Sequence, residues 1–224
     1  MSCVKLACID LVGTAVEDGG LVRHALKKAL SVVGLDVDPP DLAPWQGADP
    51  AEILGHYGGE MAGREDAVTQ VQTAFRDYLL QITSAFRAAP GARPALEELT
   101  RAGVRCVLTT GLDRDLARLL VARTGLSSWV DSLVCRSEVE RGPPAPFLIY
   151  RAMERTGVDD CLRVTQVGDS VRGAVAGSKA GVGLNVLVRT EPVQPEEPLA
   201  SVPGLLLIST LAELPPLLDR TRVS

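Results

Sequence analysis

Apolar and polar positions follow two alternating rhythms along this chain. Short β-rich runs occur at residues 4–9, 104–108, 132–135, 163–167 and 184–188. They are dominated by apolar side chains instead of alternating strictly, the pattern of strands covered on both faces. Between them the period lengthens to that of a helix: Leu96 and Leu99 mark residues 95–102, and Leu116, Leu119 and Leu120 form one stripe over 113–123. Apart from the first, each strand-like run follows a helix-like stretch, so the pattern predicts a doubly wound α/β fold built on a parallel sheet. Residues 204–208 can add an edge strand.

One interval breaks the rhythm. The first and second strands lie much further apart than a crossover of a few dozen residues requires. The intervening pattern is helical: 21–33 carries Leu21, Ala25 and Val32 at helical spacing, a short segment spans 52–57, and a long one spans 67–86. In the last, Val68, Val71, Phe75, Tyr78, Leu79, Ile82 and Phe86 trace a continuous apolar face. Residues 17–89 are therefore expected to form a small helical cap inserted into a core made of 1–16 and 90–224. The proline-rich stretch 192–203 reads as a loop or linker.

Composition narrows the function classes. The 224 residues are 46% apolar and 23% charged, and a net charge of -5 without long single-sign runs argues against a nucleic-acid binder. The longest apolar run, near Leu205–Ile208, falls far short of the roughly 18 residues that span a bilayer. The start of the chain lacks the basic and apolar regions of a leader, so no membrane partner and a cytoplasmic location are expected, for a monomer or homodimer. Cysteines stand at 3, 8, 106, 135 and 161 with no CxxC spacing, and Cys8 and Cys106 fall inside strand-like runs, as buried thiols do.

In an open parallel sheet, ligands bind beyond the carboxyl ends of the strands. The residues there are Asp10 after the first strand, Thr110-Gly111 after the second, Arg136 to Gly142 after the third and Gly168-Asp169-Ser170 after the fourth. Two carboxylates and a hydroxyl from three strand ends suit a hard cation and a phosphate, since Mg²⁺ prefers oxygen ligands. Arg136 and Arg141 lie beside a strand end, where an anion would bind. Trp45, in "PPDLAPWQGAD", is either a wall facing a substrate or an anchor for the helical insert. His24 and His56 fall in the insert's helices and read as surface or half-buried residues.

Taken together these runs resemble the haloacid dehalogenase superfamily of hydrolases, and within it the phosphonatase-like group. The first motif, D-x-x-G-T, is Asp10-Leu11-Val12-Gly13-Thr14; the second, a strand-end Thr, is Thr110 in "LTTGLDRD"; the fourth is Gly168-Asp169-Ser170. The run "PGARPALEELTRAGV" matches the return from the cap. The resemblance implies a covalent mechanism in which Asp10 attacks phosphorus. It also implies Mg²⁺ held by Asp10, the backbone carbonyl of Val12 and Asp169. Thr110 and Arg141 would act at the phosphoryl group, with Thr14, Gly111, Trp45 and Arg136 around a small phosphate or phosphonate substrate.

The chain departs from the family pattern at four places. Val12 stands where phosphatases of the superfamily carry an acid/base Asp, a contribution of about 10² to 10⁴ in rate. Pro143, in "VERGPPAPF", takes the place of the third-motif base, and Gly173, in "GDSVRGAVAG", that of a second acidic residue. Pro50 aligns with the Schiff-base lysine of phosphonatases. Three readings follow: a Mg²⁺-dependent hydrolase, a degenerate binding protein of the same fold, and a metal-free dehalogenase whose halide leaves without a proton.

Overall fold

The computed structural model describes residues 4–38, 40–45, 48, 50–59, 65–189 and 202–220. The chain divides into two compact units, Met1–Glu17 with Arg87–Ser224, and Asp18–Phe86.

The first unit is an α/β core. Its sheet is formed by β1 (Leu6–Asp10), β4 (Arg105–Thr110), β5 (Ser132–Cys135), β6 (Val164–Gly168), β7 (Leu184–Val188) and β8 (Leu205–Ile208). Every pairing is parallel and the order is β5-β4-β1-β6-β7-β8. The chain winds outward from β1 through β4 to β5, then returns to the other side of β1 and continues through β6 to β8. The winding reverses at β1, which puts the expected ligand crevice at the carboxyl end of that strand.

Helices α4 (Ala92–Arg101), α5 (Arg114–Arg123), α6 (Phe147–Thr156), α7 (Val171–Ala180) and α8 (Leu214–Arg220) cover the sheet. Because side chains alternate across a strand, Leu6 and Cys8 of β1 join Val107, Val134 and Val164 against Ile149, Ala152 and Ala176 of α6 and α7. Ala7 and Ile9 point to the opposite face and are equally buried. A strand buried on both sides has no polar face, which is why its apolar run is nearly continuous. Two further two-residue strands, β2 (Val16–Glu17) and β3 (Arg87–Ala88), form a separate antiparallel ribbon that pairs Val16 with Ala88 and Glu17 with Arg87.

The second unit is helical: α1 (Leu21–Ser31), α2 (Pro50–Tyr57) and α3 (Glu65–Gln81). Asp18 starts α1, since Oδ1 accepts from the Val22 N–H at 2.8 Å and Oδ2 from the Gly20 N–H at 3.1 Å. Leu26, Leu30, Leu42, Ile53, Leu54 and Val71 make its core. The continuous helix expected over 67–86 ends earlier, at Gln81. Thr83–Ala85 tightens into a 3-10 turn and Phe86 becomes extended, as entry into β3 requires. Residues 190–201, most of the expected proline-rich linker, lie outside the described residues. Among the described residues no helix is long and apolar enough to cross a membrane.

Candidate active site

Asp10 is the last residue of β1, and Asp169 directly follows the neighbouring β6. The two carboxylates interact. Burial, and after it the negative charge of Asp169, push the Asp10 carboxyl well above the ordinary carboxylate range, while a backbone hydrogen bond from Leu11 draws it partly back. Asp169 is only 1% exposed. A carboxylate in that position is often a helix cap, but Ser170 takes that role here: its hydroxyl accepts from the Gly173 N–H at 3.1 Å.

The turn after β1 is shaped to meet Asp169. Gly13 adopts φ 87°, and a Cβ built on it would stand 1.9 Å from Oδ2 of Asp169. Only a glycine combines that backbone with so close an approach. The turn's N–H groups at Gly13, Ala15 and Val16 donate to the carbonyls of Val16, Asp10 and Leu11, and among the described residues none of them takes the carbonyl of Val12. Thr14 is 1% exposed, and its Oγ1 is buried with no hydrogen-bond partner among the described residues.

Thr110 ends β4, on the other side of β1, and is buried. Its Oγ1 accepts from the Leu112 N–H at 3.1 Å, which still leaves the hydroxyl proton to give. Gly111 is exposed in the following turn. Thr110 does not cap α5; Asp113 does, accepting from the N–H groups of Asp115 and Leu116.

The two arginines expected near the anion are engaged in the loop after β5. Nη1 of Arg136 donates to the Val139 carbonyl at 2.8 Å, and its Cδ lies 3.2 Å from where a Cβ on Gly142 would stand. Arg141 is exposed and holds its guanidinium over the Phe147 ring, 5.5 Å from the centroid. A different arginine, passed over in the sequence, reaches this loop from α7: Nη2 of Arg172 donates to the Pro143 carbonyl at 2.5 Å.

In the helical unit Trp45 packs as the anchor, its ring 4.9 Å from His56 and 6.1 Å from Tyr57 at the edge of that unit's apolar core. His24 lies 5.9 Å from the Tyr78 ring. Lys27 is paired with Asp36 and Asp38 at 3.1 Å each, and Lys5, Lys28 and Lys179 are exposed.

The chain as a whole is similar to known proteins. A phosphoglycolate phosphatase of Cupriavidus necator is 29% identical over 231 residues, covering 100% of this chain and 99% of its own. A phosphonoacetaldehyde hydrolase of Bacteroides fragilis is 26% identical, covering 94% of this chain and 87% of its own. A hydrolase from Pseudomonas syringae shares the fold with a TM-score of 0.85 at 18% identity, over 98% of this chain and 99% of that one. The model of the haloacid dehalogenase-like hydrolases matches residues 4–181, so the chain belongs to that family.

Proposed function

We propose that this hydrolase acts on a small phosphate ester through Asp10 as nucleophile, at a site where Asp10 and Asp169 would hold Mg²⁺. The observation that carries the reading is the placement of these two carboxylates at adjacent strand ends, with Gly13 drawn up against one of them. Two anions that repel each other, one half-buried and one buried, are unfavourable alone and are relieved by a cation. The donor set fits Mg²⁺: two hard carboxylates and the Val12 carbonyl. Among the described residues no cluster of three or more His, Cys, Asp or Glu side chains adds to it, so solvent and substrate oxygens would complete the shell. When bound, the ion neutralises charge on the phosphoryl oxygens and on the nucleophile.

The residues then divide the work. An Asp10 carboxylate oxygen attacks phosphorus and the bond to the leaving group breaks, giving an aspartyl-phosphate. Water attacks that phosphorus, the bond to the Asp10 oxygen breaks, and phosphate departs. Thr110, holding the Leu112 N–H through its lone pair, directs its proton at a phosphoryl oxygen. Val12 has no proton for a departing alkoxide, which favours substrates whose leaving group departs as a stable anion. The helical unit is taken as the inserted cap of such hydrolases.

A phosphonate substrate handled through a Schiff base is less well supported. Such an amine must be desolvated and unprotonated. Hydrogen bonds to Asp38 and Asp36 raise the pKa of Lys27, the opposite requirement, and Lys5, Lys28 and Lys179 are exposed. A screen of phosphate esters, phosphonates and haloacids with and without Mg²⁺, run beside Asp10→Asn, tests the assignment. Mg²⁺-dependent release of phosphate that vanishes in the variant is expected. Activity that persists under a chelator, or in Asp10→Asn, would overturn it.

A further inference from the structure

We propose that Gln166 is a positioning residue of this site, its neutral carboxamide orienting Asp10 through a shared water, an inference that rests on the reading of Asp10 and Asp169 given above. Gln166 lies inside β6, two residues before the strand ends, and is 5% exposed. Parallel pairing sets it beside Cys8 of β1 on one side and Asn185 of β7 on the other. An amide inside a sheet covered on both faces is unfavourable unless it is hydrogen-bonded, so its presence there calls for a partner.

Glycines make the room for it. Nε2 of Gln166 lies 3.3 Å from where a Cβ on Gly168 would stand and 3.4 Å from where one on Gly173 would stand. The same Gly168 position is 3.7 Å from Asp10 Cβ, so a single methyl group there would touch both the amide and the Asp10 side chain. The Gly173 position is 3.2 Å from Ser170 Oγ, the hydroxyl that caps α7. The carboxamide therefore points along β6 toward its carboxyl end, under the first turn of α7.

Asn185 shows what a structural amide does in this layer. Its Nδ2 donates to the Ala174 carbonyl at 2.6 Å, and a Cβ on Gly177, one turn after Gly173, would stand 2.7 Å from its Oδ1. That amide fastens α7 to β7. The carboxamide of Gln166 has no hydrogen-bond partner among the described residues, and it is not sealed off as the hydroxyl of neighbouring Thr165 is. An unpaired amide open to solvent takes a water, and a water there has the Asp10 carboxylate and the Ser170 hydroxyl as further polar neighbours. Groups behind a metal ligand fix its orientation. A neutral amide suits the place, because a carboxylate would add to the repulsion between Asp10 and Asp169 and a cation would compete with Mg²⁺.

The test is calorimetric titration of the full chain with Mg²⁺ alone, and with inorganic phosphate at saturating Mg²⁺, for the parent protein, Gln166→Met and Gln166→Glu. Methionine keeps the bulk of the side chain and removes its hydrogen bonding. Gln166→Met is expected to bind Mg²⁺ about tenfold more weakly, while its melting temperature without the ion stays level or rises. Glutamate keeps the shape and adds charge. Gln166→Glu should bind Mg²⁺ as tightly as the parent or more tightly, and phosphate about tenfold more weakly, as a nearby like charge requires.

A side chain that only fills space would leave Mg²⁺ affinity in Gln166→Met within about twofold of the parent. That result overturns the inference while leaving the site assignment standing. If Gln166→Met melts lower or does not fold, Gln166→Glu decides: weaker Mg²⁺ binding, or unchanged affinity for both ligands, overturns the inference. A parent protein that binds neither ligand overturns the site assignment itself.

Discussion

Gly13 and Asp169 belong to different strand ends, yet a single methyl group cannot be placed between them: a Cβ on Gly13 would lie 1.9 Å from the Asp169 carboxylate. Gly13→Ala must therefore either push the carboxylate away or move the turn. The left-handed backbone at φ 87° alone costs an alanine about 1–2 kcal/mol. A lower melting temperature and loss of the Mg²⁺-induced rise in melting temperature are expected, measured by thermal denaturation with and without the ion. An unchanged response to Mg²⁺ would separate Asp169 from the cation.

The raised Asp10 carboxyl makes the metal-free protein pH-sensitive in a definite direction. Its folded value lies above the unfolded value of 3.8, so between the two the native state holds more protons than the unfolded chain. Stability contributed at this position is present at low pH and falls as pH rises through the folded value. Asp10→Asn removes that penalty. Without Mg²⁺ at pH 7.5 the variant should melt above the parent, at about 2–4 °C for each kcal/mol relieved. The gap should close as pH approaches 4, and Mg²⁺ should reverse the order. Identical melting curves across pH would contradict the coupling.

Val12 makes a kinetic prediction. With no acid at that position, the rate should depend steeply on the leaving group, with aryl phosphates cleaved far faster than alkyl phosphates. Val12→Asp should raise turnover of alkyl esters by about 10² and change aryl esters little. Steady-state rates on a series of graded leaving-group acidity check this, and a flat series in the parent would show that position 12 does not limit the reaction.

The thiols should be mostly inert. Burial pushes Cys106 up to about 12 and Cys135 up to about 11, and carries Cys8 higher still. Of the four described cysteines only Cys161 is partly exposed, with its Sγ 3.9 Å from Met153 Sδ. At pH 8, peptide mapping after treatment with a disulfide reagent should find Cys161 labelled before Cys8, Cys106 and Cys135, and in Cys161→Ser those three should stay slow. Rapid labelling of Cys8 would mean that β1 opens.

How much of this was legible in the sequence depended on whether a feature is periodic or positional. The strands of the core announce themselves because each is buried on both faces, so Leu6 to Ile9 form an apolar run with no polar face to interrupt it. The ends of elements were less legible. The apolar face of α3 continues past Gln81 to Phe86, although the backbone has already turned, since burial there is set by tertiary packing and not by helix period. The ribbon β2–β3 was invisible, because two residues carry no pattern. The positions of Asp10, Thr110 and Asp169 at strand ends were legible, because the apolar runs before them mark where the strands stop. The hydrogen bond from Arg172 to the Pro143 carbonyl was not legible, because its two residues lie far apart in the chain. Ser170 as the cap, in preference to Asp169, is likewise a matter of backbone geometry.

The pairing of Glu17 with Arg87 has a topological consequence. Cross-strand partners in an antiparallel ladder stand about 4.5–5.5 Å apart, so the chain departs for the helical unit and comes back at nearly the same point. Seen from the sheet, everything from Asp18 to Phe86 is the loop of a hairpin. Closure entropy grows only logarithmically with the length of such a loop, about 0.6 kcal/mol per doubling. The gap is narrow enough for a tight two-residue turn. Helices at this junction can therefore be lengthened, exchanged or cut out while the strands of the sheet keep their register, which makes the insert a replaceable cassette.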